Sequence, residues 1–395
     1  MSSSVYPEPS PAVASLRLVR TTHVISHLMT GGSETMLLKL LAATPRELQD
    51  PRVVSLLSVG TVGPRIRALG IPVEALEIRR VPGLPAALLA LRRTAGRTST
   101  DVVVGWMYHG NLAASLGASL ARGAPVIWNI RHSVYDLADE KQSTAWLIRT
   151  GAKLSGRAAA IVYNSHIARK QHERLGYASA RSTVIPNGFD TACFAPDNSA
   201  RASVRAELGL PQNALLLGMV ARLHPMKDHV GLLRAFATVR ERVPGAHLLL
   251  AGRDVVASQP QLAAVLRELG LGGAVHLLGE RADMPRLAAS LDVALSSSFS
   301  EGMPNTVGEA MACGVPCVVT DVGDSALLVG PTGVAVPPRD SQAFAAACTG
   351  LLEGSEHKRR ELGNQARRRI EQHFGIEAIA KRFQALFAAV AVGSR

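Results

Sequence analysis

Short apolar runs alternate with amphipathic stretches along almost the whole chain. The runs are apolar at successive positions, as expected of strands that are covered on both faces of a parallel sheet. Twelve runs predict strands: Leu18–Ser26, Arg52–Leu57, Val73–Ile78, Asp101–Trp106, Val126–Ile130, Ala159–Asn164, Ala214–Val220, His247–Ala251, Val275–Leu278, Val293–Ser296, Pro316–Thr320 and Val334–Val336. The stretches between them have helical periodicity. This alternation predicts an α/β protein with parallel sheets.

The runs fall into two successive sets of about six strands, separated by Val184–Ala200, a segment whose Pro, Asn and Gly residues predict turns and a linker. We therefore expect two Rossmann-like, doubly wound domains that face a cleft, at residues 17–190 and 191–372. A disordered leader is expected at residues 1–16, and a C-terminal helix at residues 373–395 is expected to pack back on the first domain. Ligands of such sheets bind beyond the carboxyl ends of the strands.

Composition excludes several classes of protein. The 395 residues are 47% hydrophobic, which excludes a disordered chain. The four cysteines (Cys193, Cys313, Cys317 and Cys348) include no C-x-x-C pair, so neither a disulfide framework nor a zinc site is expected. The leader lacks the apolar core of a signal peptide, and no run of 18 apolar residues could span a membrane. These features predict a cytoplasmic protein.

The chain is basic, with a net charge of +12 that is concentrated in residues 1–200. Nucleic acid, an anionic membrane and an anionic small molecule are the partners that such a charge suggests. Aromatic residues make up only 4% and do not interleave with basic ones, which disfavours nucleic acid.

Three loops after predicted strands carry residues suited to chemistry. The first, Met29–Glu34, contains Gly31 and Gly32 and opens a helix whose N-terminal amides favour an anion. It lacks the G-x-G-x-x-G fingerprint of a nicotinamide dehydrogenase. An ordinary tight turn between strand and helix explains this loop equally well.

The second loop, Val220–Asp228, contains Arg222 and Lys227. Two cations at the end of a strand suit a diphosphate, because arginine binds oxygen pairs as a fork and lysine acts as a point charge. A solvated loop with two surface cations is the alternative.

The third loop, Ser300–Pro316, is the most informative. Glu301 and Glu309 are eight residues apart, and Gly302, Pro304 and Asn305 form an irregular turn before a helix. Amides of such a turn form an anion-binding concavity, and carboxylates beside it can accept sugar or ribose hydroxyls. Acid/base hydrolysis by the two carboxylates is the rival interpretation.

These motifs resemble the family-4 retaining glycosyltransferases of GT-B fold. The resemblance rests on the E-x7-E segment from Glu301 to Glu309, and the Gly-Gly loop, the Arg222–Lys227 segment and Ile185-Pro-Asn-Gly188 follow the family order. It covers roughly residues 18–390. Where many relatives have Gly before the arginine and after the lysine, this chain has Ala221 and Asp228. Neither substitution removes the positive charges of Arg222 and Lys227, although Asp228 could alter the shape of the loop.

The resemblance implies a nucleotide-sugar donor held mainly by the second domain. Arg222 and Lys227 would neutralise its diphosphate, Glu309 would accept the ribose hydroxyls, and Glu301 would hold the donor sugar. His109 looks like the cleft histidine of the family and joins Glu301, Arg222 and Lys227 as a candidate catalytic residue. Further candidates for donor binding are Gly31, Gly32, Arg253, Arg281, Gly302, Met303, Pro304, Asn305 and Thr306.

The implied reaction is the retaining, metal-independent transfer of a hexose-type sugar, by default from a UDP-sugar, to a hydroxyl acceptor. No cofactor is expected. The acceptor would be a lipid-linked or small molecule in the synthesis of surface polysaccharides, glycolipids or secondary metabolites. Arg131, His132 and Asp136 could contact it, or could form a buried structural network. A sugar-nucleotide epimerase of the same fold is the main alternative; a phosphorylase would need a pyridoxal-bearing lysine.

The basic first domain suggests that it docks peripherally on the inner face of a membrane. The candidate patch comprises Arg79, Arg80, Arg92, Arg93 and Arg97. A solvated arginine-rich surface is the alternative.

Overall fold

A computed structural model describes residues 18–78, 92, 100–120 and 123–393. The chain divides into two compact units. The first comprises the described residues up to Gly188 together with those from Ile376 onward, and the second comprises Phe189–Gly375.

The first unit contains a seven-stranded parallel sheet with the strand order β3-β2-β1-β4-β5-β6-β7. Its strands are β1 (Val19–Ile25), β2 (Gln49–Ser55), β3 (Val73–Ala75), β4 (Val102–Trp106), β5 (Val126–Ile130), β6 (Ala160–Tyr163) and β7 (Ser182–Val184). The described helices are α1 (Gly32–Ala43), α2 (Gly63–Ala68), α3 (Met107–Leu120), α4 (Gln142–Leu154), α5 (His166–Arg174) and the C-terminal helix, Ile376–Val392. Apolar clusters cover both faces of this sheet.

The second unit contains a six-stranded parallel sheet with the strand order β10-β9-β8-β11-β12-β13. Its strands are β8 (Leu215–Val220), β9 (Ala246–Ala251), β10 (Val275–Leu277), β11 (Val293–Ser296), β12 (Cys317–Thr320) and β13 (Val334–Val336). Its helices are α6 (Asn198–Glu207), α7 (His229–Arg242), α8 (Pro260–Glu268), α9 (Met284–Ala289), α10 (Asn305–Ala312), α11 (Ser325–Val329), α12 (Ser341–Glu353) and α13 (Glu356–His373). We label the C-terminal helix of the first unit α14.

Each of the twelve predicted strands overlaps an observed strand, so the predicted pair of Rossmann-like sheets is confirmed. The segment predicted as a linker, Val184–Ala200, contains the boundary between the two units at Gly188 and Phe189. Its first residue is the last of β7, and its last three residues begin α6. β7 escaped notice because its Ser182-Thr183-Val184 sequence lacks the run of apolar residues that marks the central strands.

The C-terminal helix packs within the first unit. Ile376, Ile379, Phe383 and Phe387 of α14 are buried in the same apolar cluster as residues of β1, β4 and α1. The ring of Phe387 lies edge-on to the ring of His23 on β1, with the centroids 6.1 Å apart. The last helix of the chain therefore completes the core of the first unit.

Within the described residues, no helix is long and apolar enough to cross a membrane. All four cysteines are free thiols.

His23 is a buried histidine that the fold holds in the neutral form. The indole N–H of Trp106 donates to its Nδ1 at 3.1 Å, and its Nε2 lies 3.2 Å from the Thr21 hydroxyl. Burial lowers the pKa of His23 to about 3. Burial also lowers the pKa of His172 to about 4, and that of His229 in the second unit to about 4. Both units therefore contain histidines that resist protonation.

We expect acid to destabilise the protein between about pH 6.5 and pH 3. In this window histidines of the unfolded chain, whose pKa is about 6.5, bind protons that the folded protein does not, so the free energy of unfolding falls as the pH falls. Each such histidine contributes about 1.4 kcal/mol per pH unit within its own window.

Thermal melts at about pH 7 and pH 5 measure this effect. His23→Gln should reduce the difference between the two Tm values, whereas the control His357→Gln, an exposed position on α13, should leave it unchanged. The same pH dependence in wild type and His23→Gln would contradict the account.

Candidate active site

In the second unit, the loops that follow β8 and β11 are bonded to each other at the carboxyl edge of the sheet. The amide of Phe299 donates to the carbonyl of Met226 at 2.7 Å, and the Ser297 hydroxyl donates to the carbonyl of Lys227 at 3.0 Å. Because β8 and β11 are adjacent parallel strands, both loops emerge at the same edge. These bonds fix the backbone of Met226 and Lys227.

Lys227 and Glu301 form an ion pair at this edge. The Nζ of Lys227 donates to Oε1 of Glu301, and the Ser298 hydroxyl donates to the same oxygen at 2.7 Å. The side chains of Lys227 and Glu301 are 24% and 14% exposed, so the pair is accessible from solvent. The structure thus brings together two predicted site residues that are far apart in the sequence, and it adds Ser298, which sequence analysis did not identify.

Asp228, the predicted departure from the family pattern, adopts a backbone conformation that suits glycine. Its φ of 48° lies in the left-handed region, which aspartate tolerates better than most side chains. Its carboxylate accepts from the amide of Gly231 at 2.9 Å and caps α7. Burial raises the pKa of this carboxyl. The aspartate therefore preserves the turn and stabilises the helix that follows.

The backbone of Glu301 and Gly302 is fixed by the loop after β12. The amide of Asp324 donates to the carbonyl of Gly302 at 2.9 Å. A Cβ added at Gly323, where φ is 58°, would lie 2.3 Å from the carbonyl oxygen of Glu301. Only glycine permits this close approach of two backbones. Three loops thus converge at the carboxyl edge of the second sheet.

α10 begins at the end of this loop. Pro304 precedes the helix and supplies no side-chain cap. The amides of the first turn form the positive end of the helix dipole. Glu309 lies in the next turn and is half-buried. A Cβ at Gly308 would lie 2.1 Å from the ring of Phe189, so this glycine lets α10 pack directly on that ring.

The remaining cationic residues predicted for the site in the second unit differ in their exposure and in their contacts. Arg222 is exposed in the loop that contains Lys227. Arg253 is 53% exposed and lies 3.9 Å from a carboxylate oxygen of Glu280, a weak surface pair. Arg281 donates to Glu207 at 2.7 Å and to Asp283 at 2.8 Å.

The hydrogen bonds of Arg281 belong to a separate ion network. Arg286 also donates to Glu207 and Asp283, so the two arginines and two carboxylates link α6 to the start of α9. Arg281 therefore makes structural contacts in the second unit, and its role in donor binding stays a prediction.

In the first unit, a buried carboxylate lies beside the Gly-Gly loop at the start of α1. Glu34 is 6% exposed, accepts from the Ser33 hydroxyl at 2.9 Å, and lies 3.5 Å from Nδ1 of His27. A Cβ at Gly31 would lie 2.4 Å from Oε2 of Glu34. A phosphate that approached Gly31 or Gly32 would therefore meet a carboxylate as well as the helix amides, a feature that sequence analysis missed.

His109 lies in the first turn of α3 and is exposed. It follows β4 directly, as sequence analysis expected, and it lies on a helix. Partial burial and the nearby His27 lower the pKa of His109. The imidazole is therefore neutral at pH 7 and can accept a hydrogen bond from a hydroxyl.

The three predicted acceptor residues are in different environments. The Nε2 of His132 lies 2.6 Å from Glu140, and this hydrogen bond lowers the pKa of the Glu140 carboxyl. Asp136 is exposed and accepts from the amide of Ala138 within its own turn. Arg131 instead has a buried guanidinium between two aromatic rings.

Two family models match the chain. The model described as Glycosyltransferase Family 4 matches residues 30–192, and the model described as Glycosyl transferases group 1 matches residues 214–354. Together they cover more than half of the chain.

Curated relatives match shorter regions. The chain is 34% identical to EpsF of Bacillus subtilis over 141 residues, 36% of either chain. It is 28% identical to D-inositol 3-phosphate glycosyltransferase 2 of Catenulispora acidiphila over 275 residues, 67% of this chain and 62% of the relative. These matches thus span less than two thirds of the length of either relative.

Solved structures match nearly the whole chain. The crystal structure of HepE from Anabaena, in complex with UDP and glucose, has a TM-score of 0.83 at 23% identity and covers 94% of this chain and 100% of HepE. Sucrose-phosphate synthase of Thermosynechococcus elongatus has a TM-score of 0.77 at 20% identity, covering 95% of this chain and 100% of that enzyme. At these identities the likeness shows the fold.

The two Rossmann-like units have the GT-B fold of the solved structures that they match, and a charged loop cluster lies at the carboxyl edge of the second sheet. The Glycosyltransferase Family 4 model matches the first unit and the Glycosyl transferases group 1 model matches the second, so the chain belongs to the family-4 glycosyltransferases.

Proposed function

We propose that this chain transfers a hexose-type sugar from a UDP-sugar to a hydroxyl of an acceptor, with retention of anomeric configuration and without a metal ion. The ion pair of Lys227 with Glu301, beside the positive end of α10, is the observation that carries the proposal. It combines the cation that a diphosphate needs with the carboxylate that a sugar hydroxyl needs. The second unit would bind the donor, and the first unit would bind the acceptor.

In this mechanism the leaving diphosphate is stabilised by charge. Arg222 and Lys227 neutralise the phosphate oxygens, and the first-turn amides of α10 donate to them. Glu309 accepts the ribose hydroxyls, and Glu301 holds a donor-sugar hydroxyl, its position fixed by Ser298 and Lys227. His109, neutral at pH 7, accepts a hydrogen bond from the sugar.

The reaction balances without a covalent intermediate. The bond from the anomeric carbon to the diphosphate oxygen breaks, and the bond to the acceptor oxygen forms on the same face of the sugar. The leaving phosphate oxygen takes the acceptor proton. The products are the glycoside and UDP.

The names of curated relatives support a hydroxyl acceptor. Relatives from Catenulispora, Mycobacterium and Rhodococcus are named for D-inositol 3-phosphate, a compound that carries hydroxyls. The UDP-glucose complex of HepE, a structural neighbour, supports UDP-glucose as the first donor to test.

A transfer assay tests this function. The protein should convert UDP-glucose or another UDP-sugar only when an acceptor is present, the product should keep the anomeric configuration of the donor by proton NMR, and EDTA should not reduce the rate. Conversion of the donor alone into an isomeric nucleotide sugar would instead identify an epimerase.

Arg222→Ala and Lys227→Ala should each lower kcat/KM by roughly 100-fold or more, because each removes a charge that stabilises the leaving group. Steady-state kinetics with saturating acceptor measure the loss. Arg242→Ala is the matched control, since it removes an exposed arginine from the far end of α7 that pairs with Glu353. Near-native turnover by Arg222→Ala or Lys227→Ala would refute the assignment.

We further propose that the first unit docks on an anionic membrane through α4. Of the predicted basic patch, Arg79, Arg80, Arg93 and Arg97 lie outside the described residues, and Arg92 is exposed. That patch stays a prediction, and the described residues support a different surface.

Trp146 is 63% exposed on α4. Arg149 and Lys153 are exposed three and seven positions later, so they lie on the same face of the helix. The adjacent helix α3 exposes Leu116 and Leu120, which are 46% and 44% exposed. A tryptophan flanked by cations suits the interface of an anionic bilayer, where the ring lies among the headgroups and the cations meet lipid phosphates.

Vesicle binding tests this surface. Trp106 and Trp128 are fully buried, so a blue shift of tryptophan emission on adding vesicles that contain phosphatidylglycerol would report Trp146. Wild type should cosediment with these vesicles and not with phosphatidylcholine vesicles. Arg149→Gln should bind about fivefold more weakly, a loss of about 1 kcal/mol.

Trp146→Ser should also weaken cosedimentation, whereas Leu69→Ser, which removes an exposed apolar side chain elsewhere in the first unit, should not. Binding of Trp146→Ser equal to that of wild type would refute docking through α4, as would the absence of binding by wild type.

A further inference from the structure

Arg131 follows β5 directly and places its guanidinium between two aromatic rings. Its Cζ lies 5.7 Å from the ring centroid of Trp106 and 5.8 Å from that of Phe383 on α14. All three guanidinium nitrogens are buried, and none has a hydrogen-bond partner among the described residues. The residue as a whole is half-buried, so other atoms of Arg131 reach solvent while the guanidinium nitrogens do not.

Arg205, the buried arginine of α6, shows how this fold satisfies a guanidinium elsewhere. Its nitrogens donate to the carbonyl of Ala214 at 2.9 Å, to the carbonyl of Ser290 at 2.9 Å and to the carboxylate of Asp292 at 2.6 Å. In the part of the chain that the structure describes, Arg131 has no such partner. A buried charge without a counter-ion is strongly unfavourable, because its lost hydration is not replaced.

Other polar groups near Arg131 are also unsatisfied. Asn129, two positions earlier and within β5, has no hydrogen-bond partner for either side-chain amide atom among the described residues. The same holds for Oγ of Ser133 and for Nδ2 of Asn111, whose Oδ1 accepts from the Asn129 amide at 3.2 Å. Buried polar groups are rarely left unpaired, and a cluster of them indicates a missing ligand or ion.

The cluster lies where ligands bind in this type of sheet. Asn129 pairs in register with Trp106, the last residue of β4, and Arg131 and Ser133 follow the carboxyl end of β5. The carboxyl ends of strands in open α/β sheets form the ligand-binding edge. Burial lowers the pKa of Arg131 to about 9, in keeping with a guanidinium that has no hydrogen-bond partner among the described residues.

We propose that this edge of the first unit binds an anionic group of the acceptor, a phosphate or a carboxylate, with Arg131 as its counter-ion. The guanidinium fork would bind two oxygens of the anion, and the side-chain amide of Asn129 would donate to the anion or to an adjacent hydroxyl. That the anion belongs to the acceptor rests on the proposed function, whereas the anion site itself rests on the structure alone.

Thermal melts with inorganic phosphate as the probe test the anion site. The melts are run with saturating UDP, so that the nucleotide occupies the donor site, and phosphate is compared with chloride at equal ionic strength. Wild type should gain stability with phosphate, in proportion to the logarithm of its concentration above the dissociation constant.

Three variants assign the effect to Arg131. Arg131→Met keeps an unbranched side chain between the two rings and should weaken phosphate binding about 30-fold or more, the effect of removing one partner of a buried charge pair. Arg131→Lys should retain part of the binding. Arg174→Met, which removes an exposed arginine at the end of α5, should match wild type.

The proposal is overturned if phosphate stabilises wild type no more than chloride does, or if Arg131→Met responds as wild type does. Failure of UDP to stabilise any variant would count against the proposed function instead, so the two failures are distinguishable.

Transfer assays distinguish the possible sources of the anion. Inositol 3-phosphate in solution presents an anionic phosphate monoester, phosphatidylinositol in vesicles presents an anionic phosphodiester, and unphosphorylated inositol is the neutral control. Preference for either phosphorylated compound, lost in Arg131→Met, supports the proposal; equal use of neutral inositol contradicts it.

Discussion

Parallel strand pairing is the constraint on which the candidate site depends. When every strand of a sheet runs in the same direction, every loop that follows a strand emerges at the same edge. β8 and β11 are adjacent in the second sheet although about 75 residues separate them. Lys227 and Glu301 can therefore form an ion pair, and the loop after β12 reaches the same place to fix Gly302. The charged cluster is thus a consequence of strand order.

The positions of the central strands along the chain, and of the loops that follow them, were predictable from the sequence, because these strands are continuous apolar runs and glycines and charged residues follow them. The details that depend on tertiary contacts were not. Ser298 is one serine among several in Ser296-Ser297-Ser298, and only the fold shows that its hydroxyl binds Glu301. α3 contains Gly110, Asn111 and Gly117, residues of low helix propensity that packing retains. For example, a Cβ at Gly110 would lie 2.5 Å from the carbonyl oxygen of Val24.

Charged residues of similar appearance in the sequence have different surroundings in the structure. Arg281 is bound by two carboxylates, Arg205 by carbonyls and a carboxylate, and Arg222 is exposed. Arg131 alone of these four has a buried guanidinium with no hydrogen-bond partner among the described residues. Which arginine is free to bind a ligand depends on neighbours that are distant in sequence, so net charge by itself could not identify it. The basic residues that make up the excess of positive charge in the first half of the chain therefore have several different roles.

The account rests on donor binding by the second unit, and calorimetric titration of UDP tests it most directly. Glu309 lies on α10, in the turn after the amides assigned to the diphosphate, and is assigned to the ribose hydroxyls. Wild type should bind UDP, and Glu309→Ala should bind it at least tenfold more weakly because the carboxylate that accepts both hydroxyls is lost, about 1.4 kcal/mol or more. An unchanged dissociation constant in Glu309→Ala, or no binding of UDP by wild type, would contradict the account.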